Sequence, residues 1–173
     1  MATYKIDASH SDILFKVKHL MITTVTGHFK TFEATLTAEA EDFSNAQINF
    51  TADVNSIDTK SEQRDGHLKS DEFFSAEKFP QLSFVSTSFT KNDKGYALKG
   101  NLTIRDITKA VELQTDYNGT MVDPYGQTKI GFEAEGIIKR KEFGLSWNAI
   151  TEAGGVVVSD DVRLQLNVQF IKQ

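Results

Sequence analysis

Hydrophobic and polar residues alternate along most of this chain. Ile13, Phe15, Val17 and His19 alternate with Asp12, Lys16 and Lys18. Residues 47–54 repeat the pattern with even positions apolar. Leu82, Phe84, Ser86 and Ser88 follow, then Leu98, Gly100, Leu102 and Ile104, and then Val111 and Leu113. Ile130, Phe132, Ala134, Gly136 and Ile138 form the next stripe, and Val162, Leu164, Leu166, Val168 and Phe170 the last. A period of two is the signature of a strand with one dry and one wet face. About eight strands are expected. The apolar parity changes between Phe29 and Phe32, so a β-bulge is expected near Lys30–Thr31.

Turn chemistry separates the stripes. Asn92–Gly95, Arg105–Thr108, Asn118–Gly119 and Asp123–Gly126 predict hairpin connections, and Gly154–Gly155 with Ser159–Asp161 precede the final strand. Two segments break the pattern. Ser61–Ser70 has helical spacing with Ser61 as cap, and Arg140–Leu145 reads as a helical turn ending at Gly144. No strand–helix alternation suggests a parallel sheet. The fold class is therefore all-β and antiparallel, either a sandwich or a closed eight-stranded barrel, with one or two short helices. Residues 1–173 read as a single domain.

A barrel of eight strands is either filled by its own side chains or holds one small ligand. Small inward residues (Ala34, Ala52, Ser86, Ser88, Gly100, Ala134 and Gly136) interrupt large ones, and this leaves both outcomes open. The 13 Phe, against one Trp and four Tyr, supply apolar volume for either.

Charge and composition narrow the function classes. Nineteen Lys+Arg stand against 24 Asp+Glu, a net charge of -5, which argues against nucleic-acid binding. No apolar run reaches the roughly 20 residues of a membrane span. Cys is absent, so thiol catalysis and Cys-ligated metals are excluded. The N-terminus shows no signal pattern, which predicts a cytoplasmic protein, or a periplasmic one if a leader has been removed. No cofactor or metal motif is present: His10, His19 and His28 recur every nine residues without HxH or HExxH spacing. His19 lies in phase with the inward residues. Arg64, Asp65 and His67 cluster on the polar helix, beside Asp58 and Thr59. They could hold a polar ligand end, act as acid and base, or simply fix the helix over a barrel mouth. Arg140, Phe143 and Trp147 form a second mixed cluster.

Ordered motifs now accumulate. They include Ile6–Ser11, Phe15–Leu20, Val25–Phe29, Ser56–Thr59, Arg64–Leu68 with Phe73–Phe74, and Phe79–Phe84. Leu98–Ile104, Thr108–Lys109, Ile138–Arg140 and Glu142–Leu145 complete them. In this set and order the chain resembles the bacterial YceI family. The resemblance implies a lipocalin-like barrel that binds rather than catalyses. It holds a long-chain amphiphile, such as a polyisoprenoid, isoprenoid quinone or fatty-acid derivative, as carrier or reservoir. It also implies a possible homodimer. At Arg105–Asp106 the chain departs from the family, which usually places Gly there. Combined with the stripes, the resemblance nominates Phe15, Val17, Phe29, Leu36, Phe50, Phe84, Leu102, Phe132, Ile138 and Trp147 as the apolar lining. His19, Arg64, Asp65 and Arg140 are nominated for the polar end or mouth. The rival readings are a small-molecule enzyme using His19 with Arg64, Asp65 and His67, and a filled-barrel, stress-related interaction protein.

Overall fold

The computed structural model describes residues 1–148 and 157–173. Their strands are β1 (Ala2–Ile6), β2 (Asp12–His19), β3 (Thr23–Phe29), β4 (Phe32–Ala38), β5 (Gln47–Asp53), β6 (Ile57–Asp58), β7 (Gln81–Asn92), β8 (Gly95–Ile104), β9 (Ile107–Val122), β10 (Thr128–Lys139) and β11 (Val158–Lys172). One helix, α1 (Glu62–Lys69), stands between β6 and β7. Its first turn is capped by Ser61, whose hydroxyl accepts from the Arg64 N–H.

The strand segments assemble into eight staves. β1 and β2 form one stave, kinked at a 3₁₀ turn over Ala8–His10 whose start is capped by the Asp7 carboxylate. β3 and β4 form the second stave, and β5 and β6 the third. Strands β7 to β11 supply the other five. Each stave pairs antiparallel with the next, and β11 closes the ring by pairing with β2 along its first half and with β1 at its end. The result is a closed, eight-stranded, up-and-down barrel, which leaves no long unpaired edge.

Apolar parity fixes which face turns inward. In β4 the pattern Phe32, Ala34, Leu36, Ala38 is buried, and in β10 Ile130, Phe132, Ala134 and Ile138 are. The parity change at Lys30–Thr31 is real, but its form differs from a simple bulge. The ladder is interrupted there, and the extra residues lie on the partner stave, where Val54–Ser56 forms a 3₁₀ turn. Lys30 N–H donates to Ser56 O and Asp53 N–H to Thr31 O, which pins the corner.

Two turn expectations and one strand phase are revised. Asn118–Gly119 is not a turn: it lies inside β9, where Asn118 is the extra residue of a bulge opposite Gly131/Phe132. Ser159–Asp161 lies within β11, in the irregular stretch between Val158 and Val162, and Gly154–Gly155 falls outside the described residues. In β7 a bulge at Thr87 shifts the register, so Phe89 rather than Ser88 becomes the buried residue. The Arg105–Asp106 turn connects β8 to β9 as expected. Arg105 adopts a left-handed backbone (φ 56°), the conformation that glycine takes most easily. Its guanidinium donates to Gly144 O at 2.9 Å and lies over the Phe79 ring.

The two barrel ends are built differently. At the end holding both termini, Phe43 packs against Tyr4, Tyr117 and Phe132, and seals the interior. At the opposite end, α1 and the segment after it bring Leu68, Phe73 and Phe74 against the interior.

The candidate ligand cavity

The barrel is not filled. Its axis holds a cavity of ≈ 220 Å³, where a single water needs only about 10–15 Å³ of comparable space. The wall is hydrocarbon: among the described residues no polar atom is exposed on its surface. The small inward residues serve two purposes. Some seat the aromatic rings. A Cβ on Gly27 would lie 2.2 Å from the Phe15 ring, and one on Gly100 would lie 2.4 Å from the Phe84 ring. Others, Ala34 and Ala134, leave width in the wall itself.

Nine of the ten nominated apolar residues face this cavity: Phe15, Val17, Phe29, Leu36, Phe50, Phe84, Leu102, Phe132 and Ile138. Trp147 does not. It packs outside the wall, edge-on to His67 at 4.7 Å and against Phe73 at 5.5 Å, so it braces a wall residue instead of being one.

The polar nominees fare differently. Arg140 reaches the wall, at the start of a 3₁₀ turn that Gly144 ends in the left-handed region. It is 3% exposed, and its guanidinium is spent on backbone carbonyls: Ser159 O at 2.8 Å, Leu145 O at 2.5 Å, Trp147 O at 2.8 Å and Val158 O at 3.1 Å. Burial pushes its pKa down, and the charge of Asp160 acts in the opposite direction. Arg140 therefore ties the 145–147 segment to the start of β11 and offers little to a ligand.

His19, Arg64 and Asp65 do not reach the cavity. Asp65 accepts from Thr59 N–H at 2.9 Å and from its hydroxyl, while Arg64 donates to Thr59 Oγ1 at 2.8 Å and to its carbonyl. Both side chains thus fasten α1 to the residue after β6. His67 pairs with Glu72 and touches Phe73 and Trp147. His19 sits at the end of β2, opposite Val158 and Thr23. The acid–base group of the enzyme reading is not gathered into one pocket. In a strand every second side chain shares a face, so parity can place His19, but Arg64, Asp65 and His67 ride on α1, where Arg64 and Asp65 are spent on Thr59 and His67 on Glu72.

The wall also contains residues that the sequence reading overlooked. Phe89 was hidden by the Thr87 bulge, which breaks the alternation just before it. Thr115 continues the stripe of Val111 and Leu113 but is polar. It is 3% exposed, and among the described residues its hydroxyl has no hydrogen-bond partner. Parity alone would have found it. Phe43, which seals one barrel end and is not itself a wall residue, belongs to an irregular segment, where no period exists to mark it.

These features can be set beside known proteins. The YceI-like domain pattern matches residues 4–170. Protein YceI of Salmonella newport is 39% identical over 174 residues, spanning 99% of this chain and 88% of that protein. Burkholderia cenocepacia BcnA superposes with a TM-score of 0.82 at 21% identity, over 95% of this chain and 98% of that one. A polyisoprenoid binding domain from Saccharophagus degradans, implicated in plant cell wall breakdown, superposes with a TM-score of 0.71 at 14% identity, over 98% of both chains.

Proposed function

The chain belongs to the YceI family, and from that premise we propose that it is a non-catalytic carrier or reservoir for a long-chain amphiphilic lipid, such as a polyisoprenoid, an isoprenoid quinone or a fatty-acid derivative. The observation that carries this reading is the hydrocarbon-walled cavity along the barrel axis. Such a wall discriminates against any buried polar group, because an unpaired one costs several kcal/mol on the order of 2–7. It accepts CH₂ groups at about 0.8 kcal/mol each, so a tail of ten or more carbons outweighs the entropy of its immobilisation. The polyisoprenoid-binding description of the structural neighbour from Saccharophagus degradans supports the same class of ligand.

Native mass spectrometry of protein extracted without detergent tests this. We expect a copurifying lipid, or a stoichiometric mass increase after adding a quinone or a long-chain fatty acid. A protein that carries no lipid and takes up neither probe overturns the reading.

A further inference from the structure

A ligand this apolar lives in membranes, and one feature beside the cavity suits a membrane surface. β2 and β3 are joined by Leu20, Met21 and Ile22, which are 41%, 68% and 79% exposed. Ile22 N–H donates to His19 O and closes the turn, and both central residues, Leu20 (φ 53°) and Met21 (φ 63°), are left-handed. Asn-Gly is the natural choice for such a turn. This chain instead places bulky apolar residues in a disfavoured backbone, with their side chains in solvent. A local rule broken without an internal gain marks a site used for something outside the fold.

The tip adjoins the cavity. Leu20 N–H donates to Val157 O at 2.8 Å, and His19 at its base lies opposite Val158, a wall residue. Below the tip, in a chain whose net charge is -5, stand Lys16, Lys18 and Arg163, and the acidic groups beside them are engaged elsewhere: Asp161 pairs with Lys139, and Asp160 accepts from the Lys141 N–H. Lys16 stands opposite Arg163 across the β2–β11 ladder, with Lys18 two residues nearer the tip. Among the described residues none of these three forms an ion pair. Like charges facing each other across a ladder are unfavourable unless something anionic is shared between them. The other exposed apolar hairpin, with Met121, Val122 and Tyr125, differs in each respect. Its turn uses Gly126 at positive φ, its Lys129 is paired with Asp123, and it lies at the sealed end.

We propose that the Leu20–Ile22 tip, with Lys16, Lys18 and Arg163 behind it, docks on a bilayer bearing anionic lipids. The apolar side chains enter the interface and the cations meet the phosphates. Docking there places the cavity end that carries Val17 and Val158 against the membrane.

Co-sedimentation with phosphatidylcholine vesicles, with and without phosphatidylglycerol, tests the proposal. Protein retained on vesicles is read, not lipid taken up, so the result does not depend on the cavity reading. We expect retention that requires phosphatidylglycerol and weakens with salt. Met21→Asp with Ile22→Asp lowers it at least about tenfold, and Lys18→Glu with Arg163→Glu removes the phosphatidylglycerol dependence. Met121→Asp with Val122→Asp leaves it unchanged. All variants keep the wild-type melting temperature, since the altered side chains are exposed. Absence of retention at low salt, or equal loss from both tips, overturns the proposal. So does a tip variant that dissolves a dimer in size-exclusion chromatography, since the tip would then face a second copy of the chain.

Discussion

Arg140 is a buried cation whose compensation comes from four carbonyl oxygens instead of a carboxylate. Thr115, in the same wall, holds a hydroxyl with no partner among the described residues. The two should respond oppositely to apolar replacement. Arg140→Met orphans several carbonyls at once and is expected to cost about 3–5 kcal/mol. Arg140→Lys recovers little of this, because an ammonium lacks the planar fork. Thr115→Val removes an unpaid desolvation penalty and is expected to leave stability equal or raise it by about 1 kcal/mol. Urea-unfolding midpoints measure all three. If Thr115→Val is clearly destabilising, its hydroxyl has a partner in solution. Arg140 also shows how a residue can be noticed in a sequence for the wrong reason. An arginine beside Phe143 and Trp147 suggests a ligand headgroup, and only the backbone geometry reveals that its donors are consumed by the chain itself.

At the scale of elements, the segment between β4 and β5 acts as the stopper of the sealed end. It is held by Phe43 inside and by Asp42 outside. The Asp42 carboxylate pairs with Lys91 at 2.9 Å, and the Asp42 backbone carbonyl accepts from the Tyr96 hydroxyl. Hydrogen bonds from Lys91 and then from the Ser44 N–H lower the Asp42 pKa from 3.8 to about 2. A carboxylate depressed on folding adds stability that is whole above its ordinary value and is lost as pH falls through the lowered one. The stopper is therefore expected to loosen between pH 4 and pH 2, over the interval of those two values. In Asp42→Asn the contribution is absent at every pH, so the acid limb of a melting-temperature profile should be flatter there. An unchanged profile would count against the role assigned to the pair. Regular stretches such as β10 and the Val162–Phe170 part of β11 were legible in the sequence because an unbroken alternation admits one phase. Irregular ones were not. The Thr87 and Asn118 bulges leave composition intact while shifting phase, and Lys30–Thr31 showed that the phase changed without showing that the inserted residues lay on the partner stave.

For the whole molecule, alternation predicts a closed sheet but cannot say whether its interior is full, because a Phe ring filling the axis and one lining it have the same parity. The distinction lies in sums of side-chain volume across eight staves. Ala34, Ala134 and the glycine seats of Phe15 and Phe84 decide it here. The nine wall residues were readable for this reason, and the emptiness between them was not. A bound lipid at a hundred times its dissociation constant should stabilise the barrel by about 2.7 kcal/mol. Ala134→Trp, which fills the cavity from its wall, should abolish that ligand-dependent rise in melting temperature while folding on its own. An undiminished rise in the variant would place the ligand elsewhere.

The closure of the ring by β11 has a practical consequence. Gln173 N–H donates to Thr3 O at 2.8 Å, and Tyr4 lies opposite Lys172, so the two ends of the chain are neighbours on one rim. A short linker could join them and the backbone be opened at another turn, giving a circular permutant with every stave retained. By the same geometry, a fusion partner attached to either end stands at the stoppered rim, away from α1 and the Leu20–Ile22 tip.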